Sequence, residues 1–193
     1  MNTTTTAVVT RPATLPKQVL RWMPTFLGFP AGGLAAKLIV GSVDQLGAAV
    51  FGGAITGAFI GLAQWLGIRR TGLSPELWIG STAAGLAIGF GAGAAAVGYQ
   101  TDLAALAAQG AISGLAVGIT QALVLHSRLG RIVAGWPAVL AALWALGWII
   151  TSSAGIDVEA QYTVFGSSGA LIVTALTSVL PIELARHQQR APR

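Results

Sequence analysis

The sequence predicts an all-α, polytopic membrane protein with six transmembrane helices, arranged as three tandem two-helix repeats. Three observations support this: few charges, six apolar stretches of membrane-spanning length, and positive charge confined to alternate loops. Of the 193 residues, 54% are apolar and only 9% are charged, whereas soluble domains carry roughly 25% charged residues. Because so few charges could not cover a folded chain in water, we expect lipid to surround most of it.

The six apolar stretches each have about the 20 residues that a helix needs to cross a bilayer. They lie at 22–42, 46–67, 77–99, 103–125, 133–154 and 160–180. Helices are expected because backbone groups in lipid must be satisfied within the segment, and the alternating pattern of barrel strands is absent. This predicts a transmembrane domain at 21–182, between a polar segment at 1–20 and a basic tail at 183–193.

Basic residues cluster at one end of this six-span arrangement. The four clusters are Arg11, Lys17 and Arg21; Arg69 and Arg70; Arg128 and Arg131; and Arg186, Arg190 and Arg193. The loops at the opposite end carry only acidic charges, at Asp44, Asp102, Asp157 and Glu159. Because positive loops stay on the cytoplasmic side, both termini are predicted to be cytoplasmic.

The chain also repeats itself, in copies at about 21–70, 76–128 and 132–182. Each copy opens with a tryptophan and has a glycine eleven residues later: Trp22 and Gly33, Trp78 and Gly89, Trp136 and Gly147. GAITGAFIGLAQWLGIRR from Gly53 aligns with GAISGLAVGITQALVLHSR from Gly110 at an offset of 57, while the third copy is degraded. Two helices per copy give every copy the same orientation, so these are parallel repeats and not inverted ones.

The segment at 53–70, together with Trp78, resembles a unit found in uncharacterised bacterial Gly-rich multi-pass membrane proteins. That unit is a repeated hairpin of the type GAxxGxxxGxxQWLxLRR. The second copy is similar to it, and the third is similar only in part. The resemblance implies a multi-pass helical fold in the bacterial cytoplasmic (inner) membrane, and it supplies no activity.

Glycines form two stripes at four-residue spacing, which places each set on one helix face. The stripes are Gly53, Gly57 and Gly61 in the second span, and Gly110, Gly114 and Gly118 in the fourth. Small residues let helix backbones approach closely in membranes. Packing within the chain is the favoured interpretation, and an oligomer interface is the alternative.

Three polar side chains within the predicted spans are candidates for a structural or functional role. Gln64 and Gln121 occupy equivalent positions, and a buried amide either ties helices together or lines a polar path. Their equivalence favours the tie. Lys37 lies about two turns inside the outer end of the first span, where it either snorkels or pairs with Asp44, or contacts a solute or ion.

Aspartates occupy the three outer turns, at Asp44, Asp102 and Asp157. Aspartate is common at turns and at helix N-caps, and this interpretation is favoured. The alternative is a ring of carboxylates that attracts cations or a solute at the outer mouth.

The sequence argues against several functional classes. It has no cysteine and only two histidines, so we expect no metal site and no cofactor. The GSSG segment at 166–169 resembles the serine motif of rhomboid proteases, but no later span carries the histidine base that such an enzyme needs. We therefore expect no enzyme activity. The basic residues form topology signals, so nucleic acid is not an expected partner.

Two functions stay open from the sequence. The favoured one is a non-enzymatic scaffold or accessory subunit of a membrane complex, in contact with the lipid bilayer and with other membrane proteins or a second copy of itself. The alternative is a small-solute binding or transport protein, similar in size and span number to the substrate-binding subunit of an energy-coupling vitamin transporter. A polar cavity at Lys37 would favour transport, and a closed interior would favour the scaffold.

Overall fold

The computed structural model describes residues 15–155 and 164–190, and within these ranges every regular element is helical. The α-helices are α1 (Leu15–Trp22), α2 (Gly28–Val40), α3 (Leu46–Ile68), α4 (Pro75–Ala96), α5 (Leu103–Leu129), α6 (Trp136–Ser153), α7 (Ser167–Leu176) and α8 (Val179–Arg190). Short 3-10 segments span Met23–Leu27, Arg69–Thr71 and Gly130–Gly135. Asp157 and Glu159 lie outside the described residues, as do Arg11 and Arg193.

Five helical stretches are long and apolar enough to cross a membrane, one fewer than the six predicted from the sequence. They are Pro16–Val40, Leu46–Thr71, Pro75–Ala96, Leu103–Ser153 and Ser167–Gln188. The difference arises in the fourth stretch, which is 51 residues long and contains both α5 and α6. The 3-10 segment between them keeps the chain helical, so no break separates the two helices.

Helices α5 and α6 nevertheless run antiparallel to each other. A Cβ atom added at Gly110, early in α5, would meet Trp148 in the second half of α6, and one added at Gly118 would meet Pro137 at the start of α6. The chain reverses around Gly130, whose φ of +59° lies in the left-handed region that suits glycine. The 51-residue stretch is therefore a hairpin.

Local signals explain where the central helices begin. Ser74 caps α4 by accepting a hydrogen bond from the Leu77 amide, and Pro75 occupies the first turn, where its missing N–H costs nothing. Asp102 caps α5 by accepting from the amides of Ala104 and Ala105. These caps fix the first residues of α4 and α5, and the two capped ends lie at opposite ends of this antiparallel pair.

The helices close into one bundle in chain order. Each of α2 to α6 packs against the next helix, and α7 packs back against α2 and the 3-10 segment that precedes it. The Trp22 indole nitrogen donates to the Thr174 carbonyl oxygen at 2.9 Å and contacts the Thr177 hydroxyl at 3.3 Å. These bonds join the first helical segment to the last hairpin.

Glycine contacts recur along the chain at a spacing of 57 residues. A Cβ atom at Gly32 would lie 2.9 Å from the Thr56 carbonyl oxygen, and one at Gly89 would lie 2.8 Å from Ser113 Cα. A third close approach joins Gly147 of α6 to Gly169 of α7, each one residue away from the 57-residue spacing. The sequence alignment pairs Gly33 with Gly89, whereas the structure places Gly32 in the matching contact and Gly33 against Val164.

Apolar side chains fill the centre of the bundle, with at least one from each of α2 to α7. They are Phe29, Ile60, Leu86, Val117, Trp144 and Val173, each at most 3% exposed. Phe165 stacks on Phe29 with ring centroids 5.2 Å apart and meets Trp144 edge-on at 5.4 Å. Such aromatic contacts add to the packing energy beyond burial alone.

Candidate functional site

A largely buried hydrogen-bond network links Gln64 and Gln121. The Gln121 Nε2 atom donates to Gln64 Oε1 at 3.1 Å and to Thr82 Oγ1 at 3.0 Å. The Trp136 indole nitrogen donates to Gln121 Oε1 at 3.0 Å. Gln121 is 1% exposed and Thr82 is fully buried. One amide therefore connects α3, α4, α5 and α6.

The amide group suits this central position because it offers donors and an acceptor on one planar group. Thr82 is itself anchored, since its hydroxyl donates to the Trp78 carbonyl oxygen at 2.9 Å. The sequence singled out Gln64 and Gln121 but did not identify Thr82 and Trp136 as partners of Gln121. The available signal was the position of Trp136, which follows Gln121 in the chain and opens the third predicted copy.

The three tryptophans that open the predicted copies have different hydrogen-bond environments. Trp22 bonds to α7 and Trp136 bonds to α5, so each bonds to a helix outside its own predicted copy. The Trp78 indole nitrogen is buried with no hydrogen-bond partner among the described residues. An unpaired buried donor costs free energy, so Trp78 is the least satisfied of the three.

At the end of the bundle away from the arginine clusters, the Lys37 side chain turns toward the end of its helix. The Lys37 Nζ atom donates to Ser42 Oγ at 2.9 Å, in the turn that follows α2. A long aliphatic chain that ends at a polar turn is the geometry of a snorkelling lysine. The nitrogen therefore lies at the turn after α2 rather than in the apolar core.

The outer aspartates do not share one role. Asp102 Oδ1 accepts from the amides of Ala104 and Ala105 at 3.0 and 3.1 Å. Asp44 is exposed, and the N-cap position of α3 falls on Gln45, which makes no side-chain capping bond. Asp157 lies outside the described residues. Across the described part of the chain, no three His, Cys, Asp or Glu side chains form a group that could hold a metal ion.

An open groove of about 460 Å³ lies on the surface beside the turn between α2 and α3, lined by residues that include Ile39, Gln45 and Phe51. A much smaller cavity lies within the core at the same end of the bundle. Its volume is about 10 Å³, and its lining includes Phe90, Tyr99, Leu106 and Gln109. Gln109 is 4% exposed. A space of this size holds about one water molecule, so in this conformation it is too small for an organic solute.

Both glycine stripes are covered within the chain. A Cβ atom at Gly57 would lie 2.7 Å from Ala83 Cα, and one at Gly61 would lie 3.0 Å from Ile79 Cα, both on α4. In the same way, a Cβ atom at Gly110 would lie 2.8 Å from the Trp144 carbonyl oxygen on α6. The faces that were candidates for an oligomer interface are therefore occupied by the chain's own helices.

Comparison with known proteins gives no relative from which a role could be transferred. No family model, no curated protein and no solved structure matches the chain. Its function must be argued from its own geometry.

Proposed function

We propose that this chain is a non-enzymatic scaffold or accessory subunit of a membrane complex, built as six membrane crossings in three parallel hairpins. The five long apolar stretches support a location in the bilayer. The antiparallel packing of α5 on α6 supports a sixth crossing, because it divides the longest stretch in two. The contact pairs Gly32–Thr56, Gly89–Ser113 and Gly147–Gly169 support the three-hairpin description.

The proposed location is the bacterial cytoplasmic membrane, with both termini inside. Contacts between the basic segments support this orientation. The Arg128 Nη2 atom donates to the Gly72 carbonyl oxygen at 2.8 Å, and Gln188 Nε2 donates to the Arg70 carbonyl oxygen at 3.3 Å. Three of the basic clusters therefore share one end of the bundle, as the positive-inside rule requires.

Cysteine labelling tests this orientation. In intact cells, a membrane-impermeant maleimide is expected to label Gln100→Cys, in the exposed turn between α4 and α5, and to leave Ser127→Cys unlabelled until lysis. Both positions are exposed, and the natural chain has no cysteine to interfere. Labelling of Ser127→Cys in intact cells, with Gln100→Cys protected, would reverse the proposed orientation.

The closed centre of the bundle is the observation that carries the scaffold proposal. Six apolar side chains, one from each of the helices α2 to α7, meet there and are almost completely buried. Lys37 is directed to the outer turn, and the cavity above the core holds about one water. A protein whose interior is filled in this way offers its surface rather than its centre to other molecules.

Purification from the native membrane tests the scaffold role. Mild detergent extraction of the tagged chain is expected to recover another membrane protein in fixed stoichiometry. The same tag on an unrelated multi-pass protein gives the background. Recovery of a bare monomer that binds a small solute would contradict the scaffold and support the solute-binding alternative.

A further inference from the structure

One end of the bundle carries a patch of arginines that the proposed scaffold role does not use. Arg69 and Arg70 are exposed in the 3-10 turn after α3, and Arg128 is exposed near the end of α5. The bond from Arg128 to the Gly72 carbonyl oxygen places its guanidinium beside that turn. We refer to Arg69, Arg70 and Arg128 as the turn patch.

The acidic groups near the turn patch already have partners. Glu76 accepts a hydrogen bond from the Ser74 hydroxyl, and Glu183 pairs with Arg186. Neither carboxylate is seen to bond an arginine of the turn patch in the described part of the chain. The three guanidinium groups therefore leave a local excess of positive charge.

Exposed apolar side chains lie near the turn patch, at the neighbouring ends of α3 and α4. Leu66 is 49% exposed and precedes Arg70 by four residues. At the start of α4, Leu77 is 62% exposed. Positive charge bordered by an exposed apolar surface matches the two parts of a phospholipid. The phosphate would lie against the arginines, and the acyl chains would lie against the apolar side chains.

Arginine suits a phosphate ligand in particular. Its planar guanidinium offers several donors and binds phosphate oxygens in pairs. Nucleic acid also carries phosphates, but it has no counterpart for the apolar border beside the patch. We propose that the turn patch binds the phosphate headgroup of an anionic phospholipid.

Lipid titration of the intact purified chain in an uncharged maltoside detergent tests the proposal. Native mass spectrometry would count bound phosphatidylglycerol and phosphatidylcholine at matched concentrations. Wild type is expected to prefer phosphatidylglycerol. The R70Q/R128Q variant is expected to lose roughly 25-fold in affinity, from about fivefold per basic group near an anionic headgroup. The K17Q/R21Q variant removes the same charge from α1 and is the matched control.

Each outcome decides the proposal. Equal binding of the two lipids by wild type overturns it, and this arm does not depend on any variant folding. An equal loss in both double variants shows a general positive field and also overturns it. Inorganic phosphate that displaces phosphatidylglycerol at equal concentration would identify a free-anion site instead. The proposal rests on the orientation proposed above, and the labelling of Gln100→Cys tests that orientation separately.

Discussion

The Gly57→Ala variant is expected to lose up to about 2 kcal/mol of stability, although alanine is the better helix former. The added methyl would lie 2.7 Å from both Ala83 Cα and the Thr82 carbonyl oxygen. These are backbone atoms of α4, which cannot move aside without separating the helices. Overpacking of this kind costs about 1–3 kcal/mol, while the helix-propensity gain is at most about 1 kcal/mol. Thermal unfolding of the purified protein in detergent measures the difference.

Gly80→Ala is the matched control for this variant. Gly80 also lies inside a long helix, but a Cβ atom there would meet nothing within 4 Å. Helix propensity then acts alone, so Gly80→Ala is expected to be neutral or slightly stabilising. Gly114→Ala, in the corresponding face of α5, is expected to behave like Gly57→Ala. Equal stability of Gly57→Ala and Gly80→Ala would contradict the close-packing account.

The Gln121→Leu variant is expected to lose about 2 kcal/mol, and Gln64→Leu a third of that. Gln121 makes three side-chain hydrogen bonds, to Gln64, Thr82 and Trp136, and Gln64 shares one of them. Polar bonds between membrane helices average about 0.6 kcal/mol each. Leucine preserves much of the volume, so the loss reports mainly the hydrogen bonds. The measurement is again thermal unfolding in detergent.

A double-mutant cycle between Gln64 and Gln121 isolates their shared bond. Its coupling is expected near the value for a single hydrogen bond. Gln100→Leu, at an exposed turn position, controls for the loss of any glutamine amide. If Gln64→Leu were as destabilising as Gln121→Leu, Gln121 would not be the centre of the network.

Local spacing in the sequence was informative about which residues approach one another. The four-residue spacing of Gly53, Gly57 and Gly61 places them on one helix face, and the structure has that face against α4. The equivalence of Gln64 and Gln121 marked both as important. It did not reveal that they bond to each other, because that depends on how α3 and α5 are arranged around α4.

Two differences from the sequence prediction have the same origin, which is 3-10 geometry. The segment Gly130–Gly135 keeps the chain helical between α5 and α6, so the structure has five separate long apolar helical stretches where six were predicted. The 3-10 segment Met23–Leu27 advances farther along its axis per residue than an α-helix does. The glycine that meets α3 therefore comes ten residues after Trp22, at Gly32, whereas the corresponding spacing from Trp78 to Gly89 is eleven.

The outer turns could not be predicted from residue type alone. Asp102 caps α5, but in the turn before α3 the N-cap position falls on Gln45, one residue beyond Asp44. A capping bond requires the side chain at one particular backbone position. A shift of a single residue therefore separates a capping aspartate from an exposed one. The residue types alone do not tell at which residue the helix begins.

The bond between Trp22 and Thr174 has a consequence for biosynthesis. Its two residues are 152 positions apart, so at roughly 5–20 residues per second the ribosome needs about 8–30 s to supply the partner. During that interval the nascent chain has an open side between its first and latest helices. A membrane chaperone or insertase that shields this side would be needed most before α7 emerges, and a chain truncated before α7 would remain a substrate for quality-control proteases.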